Sequence, residues 1–562
     1  MTAVAQRPVF CVTEGEHRDR EIADGVLAGR FTVAGQTREL GTDPDWLGAD
    51  VPSDDEWRIE WVKFAWGLDL AHAAAETGDP AYRAAWQRLV ASWIEQVPHD
   101  HDAAEVTARR ILNWVYAGQR FGALDAVTDS IDRQARHVLD NLRPARNHRT
   151  LELYALFVVG LALDEDGLRD FAVTELDRNL EADFHPDGVH REASSHYHVL
   201  ALRSLLGLRE NARRFGLAVP DGFDDRLARA CRFAAHCRRP DGTIPALSDA
   251  DTGDYRSLLD LARDLRGPPE LCPSFPDGGY FVQRSGWGEA DRFLIFDCGP
   301  LGDGGHGHYD LLSIEACGGG RTLVIDPGRF TYSEEPPNLR RWFKGTAAHN
   351  TVCVDGLDQT PYRRGRPDGP VATARFLGRG STEGLDLLAG EALSPVYEAV
   401  HQRRIAFVAG TYWVIEDRLT SERPHRYDLR FHLAPEAHRA THVDAGTVLA
   451  PGLALLIAGA DTLRLETGWA APSYGRRLAA PVVSAVAAGR AGVTFVSVLV
   501  PRRRGAAIPR VTCLGDSTTR LRIEGPAGPG VWDTIALAAS CCRWRRTWEY
   551  SGRMEERTVG LG

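Results

Sequence analysis

Between residues 306 and 350 the chain carries His306-Gly-His308, then Ile325-Asp326-Pro-Gly328, then Thr346-Ala-Ala-His349-Asn350-Thr351. Three imidazoles and a carboxylate thus fall in a stretch otherwise built like strands and turns. Histidine and aspartate are first-rank zinc ligands, and three protein ligands leave one coordination position open. On an extended chain the two rings of His-x-His lie on one face, because side chains alternate with period two. Two adjacent rings can divide the work, one holding a metal and the other moving protons.

A second set lies in the first half. Asn147-His148-Arg149 opens an apolar helical stretch, 151–163, and Glu192-Ala-Ser-Ser-His-Tyr197-His198 opens another. Each puts polar, proton-handling groups at a helix start, where unpaired backbone N–H groups favour anions. An amide, imidazoles and a phenol suit the removal of a proton beside a carboxylate.

The elements that must position these groups follow from pattern. A chain of 562 residues exceeds one ordinary core, so two to four domains are expected at about 150 residues each. Residues 1–50 hold a short β-like piece. A helical stripe from Trp57 through Trp61, Phe64 and Leu68 to Leu70 follows. Asp79-Pro80 reads as N-cap and first residue of a helix to Val97. Further helical patterns run over about 103–120, 129–142, 151–163, 167–180, 195–215 and 223–238. The character switches near Pro268, after which short strand-like runs recur, among them 280–284, 292–297, 311–316, 322–325, 351–354, 405–408, 412–416, 426–433, 453–458 and 493–499. This predicts a multidomain α+β chain: a short segment 1–50, paired helices over 51–268 in a bundle or toroid, and antiparallel β-sandwich over 269–562.

Composition excludes several classes. Hydrophobic content of 43% and charged content of 25% are ordinary for a globular protein. The net charge of −11 argues against a general nucleic-acid binder. Lys63 and Lys344 are the only lysines, which reads as codon bias of a GC-rich bacterium. Ten scattered cysteines without a C-x-x-C pair read as buried apolar residues. No apolar window approaches a membrane span, and no secretory leader pattern is visible, so the expectation is a cytoplasmic chain.

In order and spacing, these segments resemble the heparinase II/III-like polysaccharide lyases, which are related to alginate lyases. The resemblance runs from Ala23-Asp24-Gly25 and Asp45-Trp46, through Asn147-His148-Arg149, Asp187-Gly188, Glu192, Tyr197-His198 and Ile244-Pro245…Asp249, to His306-Gly-His308-Tyr-Asp310, Asp326-Pro-Gly and Ala348-His349-Asn-Thr. It implies an (α/α) toroid followed by an antiparallel β-sandwich. It also implies β-elimination on a uronic-acid-containing glycan, leaving a 4,5-unsaturated uronate. Carried over residue by residue, Asn147 and His148 neutralise the substrate carboxylate, Tyr197 transfers a proton and His306 is the catalytic histidine. His308, Asp326 and His349 match the zinc ligands of several members. Two departures stand out: His99-Asp-His-Asp102 replaces a tryptophan-containing loop, and a second active-site tyrosine has only Tyr332 as a candidate.

Each residue also has a plainer reading. Asn147 reads equally as an N-cap, a lone His148 or His198 as a packed core histidine, and Tyr197 as a core aromatic. Glu192 reads as a helix-start carboxylate, and Asp249 and Asp251 as turn residues. Glu192, His198, Tyr332, Arg340, Arg341 and Lys344 are candidate substrate contacts, the three cations suiting an acidic poly- or oligosaccharide. Partner expectations are that glycan, no nucleic acid, no membrane, and room for a homo-oligomer. Competing readings are an intracellular eliminase on a small carboxylated intermediate, a metal-assisted hydrolase and a silent carbohydrate-binding protein.

Overall fold

The computed structural model describes residues 8–48, 55–122, 125–444, 446–503, 505–514, 517–526, 528–538 and 540–562. The expected boundary at residues 50 and 51 lies outside them. The chain divides into two compact units: 1–188 with 197–231 and 257–266, and 189–196 with 232–256 and 267–562.

The first unit is helical: Trp66–Thr77, Pro80–Gln96, Ala104–Phe121, Asp125–Asp140, Arg146–Ala162, Asp166–Asp183, and the greater part of Ser195–Phe215 and Phe223–Cys237. Asp79 caps its helix as the sequence predicts, accepting from the Ala81 N–H at 2.8 Å, with Pro80 at the first helical position. The stripe from Trp57 to Leu70 is two helices rather than one, broken at Lys63–Ala65. Phe64 takes a left-handed conformation (φ 59°), so its ring stacks on Trp46 at 5.2 Å. Packing overrides helical periodicity there. Asp102, at the end of the departing loop, is buried and ion-paired to Arg58 and Arg110 at 2.9 and 2.7 Å. Among the described residues no helix is long and apolar enough to cross a membrane.

The second unit is built from antiparallel sheets. A five-stranded sheet (Ser274–Phe275, Tyr280–Arg284, Phe293–Asp297, Ile314–Cys317, Thr322–Val324) shares a core with a ten-stranded sheet. The other face of the ten-stranded sheet packs on a C-terminal five-stranded sheet, 510–560. The strand Val400–Val408 shows why: Ile405 and Phe407 enter the first core, while Ala406 and Val408 enter the second. Burial on both faces yields a continuous apolar run instead of alternation. The runs 412–416 and 426–433 belong to one strand, Tyr412–His432. Its charged middle hides it in the sequence, and its register to Arg476–Pro501 shifts between Thr420 and Arg426.

Segments 189–196 and 232–256 precede residue 268 yet belong to the second unit. Side-chain bonds tie them together: Ser194 Oγ donates to the Asp249 carbonyl at 2.8 Å and Ser195 Oγ to the Pro245 carbonyl at 2.6 Å. Periodicity cannot show such ties. All ten cysteines are free thiols.

In the Arg146–Ala162 helix, Leu153 through Val159 are all buried. Glu152 is buried with them, one oxygen accepting from the Arg143 N–H at 2.8 Å. Burial pushes its carboxyl up to about 7, from an ordinary 4.5. A raised folded pKa stabilises the fold fully below the ordinary value, and that contribution is lost as pH rises through about 7. The stability of the wild type relative to Glu152→Gln is therefore expected to fall by on the order of 3 kcal/mol between pH 5 and pH 8. Parallel pH profiles in denaturant titrations would rule this out.

Candidate functional site

The second unit gathers two of its histidines, His306 and His308, around Asp249, a residue whose sequence context reads as a turn. Asp249 is fully buried. One carboxylate oxygen accepts from His306 Nδ1 at 3.0 Å and the other from His308 Nε2 at 2.8 Å. The Arg340 guanidinium closes on both oxygens, through Nη2 at 2.7 Å and through Nη1. Burial opposes ionisation of Asp249, but the charge of Arg340 and the bonds from both histidines hold its carboxyl well below the usual range. The sequence signal is slight, because Asp249 lies 57 residues from His306.

Arg340 and Lys344 are therefore not solvent-facing cations. Both are buried, in the helix Leu339–Lys344. Lys344 Nζ donates to the carbonyls of Gly305, Arg364 and Gly365 at 2.8–3.2 Å, and burial pushes its ammonium down to about 8. The two cations hold the site from beneath. Arg341 alone of the three is exposed, beside Tyr362. Tyr332 is half-buried, with its ring edge-on to His306 at 6.1 Å and its hydroxyl accepting from Arg329 at 3.1 Å.

Close packing sets the His306-Gly-His308 segment. A Cβ at Gly307 would lie 1.7 Å from the Leu301 carbonyl oxygen, and one at Gly304 would lie 2.8 Å from the Glu192 carboxyl carbon. Side chains at either place would push the loop off its seat. Glu192 is buried, its carboxylate 3.5 Å from His306 Nε2. The His306 side chain is 20% exposed, while those of His308 and His349 are 0% exposed. The accessible ring and the buried rings thus have different work.

His308, Asp326 and His349 each offer a ligand atom within 4.8 Å of the others. His308 Nε2 faces Asp249, leaving a buried Nδ1 without a hydrogen-bond partner. His349 Nε2 donates to the Phe343 carbonyl at 3.1 Å, which turns Nδ1 toward Asp326 Oδ2 at 3.2 Å. The other Asp326 oxygen takes the Gly328 N–H at 3.0 Å. In metal sites each histidine's far N–H is held by an acceptor in this way. The donor set fits a zinc ion.

In the helical unit the Arg146–Ala162 helix starts from Ala145, which caps without a side-chain bond, so Asn147 is not the N-cap. Asn147 is 4% exposed. The His148 side chain is 45% exposed and lies 3.9 Å from Glu105. Tyr197 packs with Leu151 and Leu200. His198 is buried, its Nε2 3.1 Å from the Ala230 carbonyl oxygen. Arg146, Ala193 and Ser248 have φ of 76°, 51° and 61°. Left-handed non-glycine backbone costs about 1–3 kcal/mol and gathers at functional sites; here it flanks Asn147, Glu192 and Asp249.

A family model described as Heparinase II/III N-terminus matches residues 11–266, and one described as Heparinase II/III-like, C-terminal matches residues 267–512. A curated heparin-sulfate lyase of Bacteroides stercoris is 22% identical over 546 residues, covering 84% of this chain and 79% of its own. One of Pedobacter heparinus is 23% identical, covering 72% and 66%. Among solved structures, a heparinase III crystal structure superposes with a TM-score of 0.78 at 16% identity, covering 100% of this chain and 92% of its own. The fold is thus an (α/α) toroid followed by antiparallel β-sandwich.

Asp249→Asn keeps the shape but presents an amide N–H to one of two imidazoles that each need an acceptor. We expect kcat to fall by about 10²-fold or more with KM within threefold, at saturating metal; normal kcat would show that Asp249 does not position His306. His308→Ala is expected to lower bound metal and the thermal midpoint together. Full metal content in that variant, by elemental analysis of unchelated protein, would remove His308 from the ligand set.

Proposed function

Since the chain belongs to the heparinase II/III family, we propose that this polysaccharide lyase cleaves an acidic, uronate-containing glycan by β-elimination. The observation that carries the reading is the contrast between one accessible imidazole, His306, and the two buried ones behind it. Relatives are named for heparin sulfate, so sulfated glycosaminoglycans are the first class to test.

Elimination requires the uronate carboxylate to be neutralised while the C5 proton leaves and the O4 leaving group is protonated. The Asn147 amide and His148 are the neutral or cationic donors for the carboxylate, each such donor being worth roughly 3–4 kcal/mol in the transition state. His306 serves as base, with Asp249 beside its Nδ1 and Glu192 beside its Nε2. Tyr197 protonates the leaving oxygen from its phenol. Glu192 and Tyr332 border His306 and orient it. Zinc, when bound by His308, Asp326 and His349, supplies a fixed positive charge and a cross-link between loops. The buried ligand set does not favour metal-assisted hydrolysis.

The test is a panel of heparan sulfate, heparin, chondroitin sulfate, alginate and polygalacturonate, read by ultraviolet absorbance and product mass. A 4,5-unsaturated product is expected, and products that have gained water would sink the reading. Tyr197→Phe should lose ~10²–10⁴ in rate with its thermal midpoint unchanged. Near-normal turnover by that variant on the true substrate would exclude Tyr197 as the proton donor.

A further inference from the structure

Strands Arg510–Leu514, Ser517–Glu524, Val531–Leu537, Cys541–Trp548 and Met554–Gly560 form the C-terminal sheet. Beyond residue 512 it lies outside the matched family segments. Its inner face, with Leu521, Ile523, Ile535 and Trp544, is buried against the ten-stranded sheet. Side chains alternate along a strand, so Arg520 and Arg522 on one strand and Arg543 and Arg545 on another share the outer face.

Register places these four together. Arg520 pairs with Ala536, which pairs with Arg543; Arg522 pairs with Thr534, which pairs with Arg545. The guanidinium stems stand at the corners of a rectangle about 9.5 Å across two strand spacings and about 6.7 Å along the strands. Ala536 and Thr534, both small, floor the space between. All four arginines are solvent-facing, with side-chain exposures of 40% for Arg522, 63% for Arg543 and 50% for Arg545. Two glutamates answer them: Glu524 meets Arg522 at 2.9 Å, and Glu556 meets Arg545 at 2.7 Å and Arg543 at 3.7 Å. Arg510 adds a fifth cation in the row of Glu524. A chain of net charge −11 thus carries a cationic trough on one exposed sheet face.

We infer that this face is a second, non-catalytic binding surface for an acidic polysaccharide chain. The inference rests on the proposed function for the class of ligand. A flat trough with cations at repeating intervals suits an extended, regularly charged chain, and guanidinium forks match carboxylate and sulfate oxygens in pairs. Single-stranded nucleic acid would want a series of open aromatic faces. The trough has Trp532, and the Arg522 guanidinium lies 4.4 Å over its ring. Holding a polymer here raises its effective concentration for the same enzyme molecule, which acts on long substrates and not on short ones.

The test compares the full-length wild type with R520Q/R522Q/R543Q/R545Q. Equilibrium binding is measured with fluorescent heparin and polygalacturonate fragments, and turnover with a polymer and with an oligosaccharide too short to bridge. The variant should bind the fragments about tenfold or more weakly, and wild-type binding should weaken with salt. KM for the polymer should rise at least about threefold, with kcat, short-substrate turnover and thermal midpoint unchanged. The inference is overturned if wild type binds neither fragment, if the variant binds as well as wild type, or if an oligonucleotide of equal charge binds as tightly. It is overturned also if sedimentation shows a wild-type dimer that the variant loses, since the face would then join two copies. Binding lost in the variant while no substrate is turned over by wild type would sink the proposed function and leave this surface standing.

Discussion

A carboxylate taken out of water costs several kcal/mol unless its charge is matched and its oxygens are filled. Asp249 meets that condition with one guanidinium and two imidazoles, and the site depends on it. Arg340 supplies the charge; His306 and His308 supply the remaining donors. The two histidines differ by one intervening residue, yet one ring reaches solvent and the other does not. Removing the carboxylate would leave Arg340 as a buried cation without a partner and leave both rings without the acceptor that sets their protonated nitrogen.

The backbone around this carboxylate is shaped to let the groups meet. Gly304 and Gly307 leave room for Glu192 and the Leu301 carbonyl, and Ser248 turns left-handed immediately before Asp249. Lys344 is tied to three carbonyls of the surrounding loops. These features oppose local preference and persist because the packed sheets beneath hold them. The ten-stranded sheet, apolar on both faces, provides that rigidity: one face shares a core with the five-stranded sheet and the other is covered by the C-terminal sheet. The outer side of that last sheet is then left to solvent, and its arginines give it a charge opposite to that of the whole chain.

Division of labour follows the same logic. The candidate metal ligands are buried, as His308 and His349 are. Side chains suited to meet a substrate keep some exposure, as His306 and His148 do. Asn147 and Tyr197 are nearly buried, on helices with left-handed backbone at or just before their starts, at Arg146 and Ala193.

By itself the sequence determined the order of helices then strands, the cap at Asp79, the strands 280–284 and 453–458 to the residue, and the grouping of His306, His308, Asp326 and His349. Those features are local: periodicity, capping and short spacing express preferences of neighbouring residues. Tertiary structure decided what depends on distant partners. It merged 412–416 and 426–433 into one strand, because Asp417–Thr420 and His425 pair with the strand Arg476–Pro501 across the charged middle. It drew 189–196 and 232–256 into the β-rich unit, took Arg340 and Lys344 out of solvent, and turned Asp249 from a turn residue into the hub. No pattern within a window of the sequence carries a bond between residues 249 and 340. The pairing exists because burying either charge alone would cost more than the fold can supply.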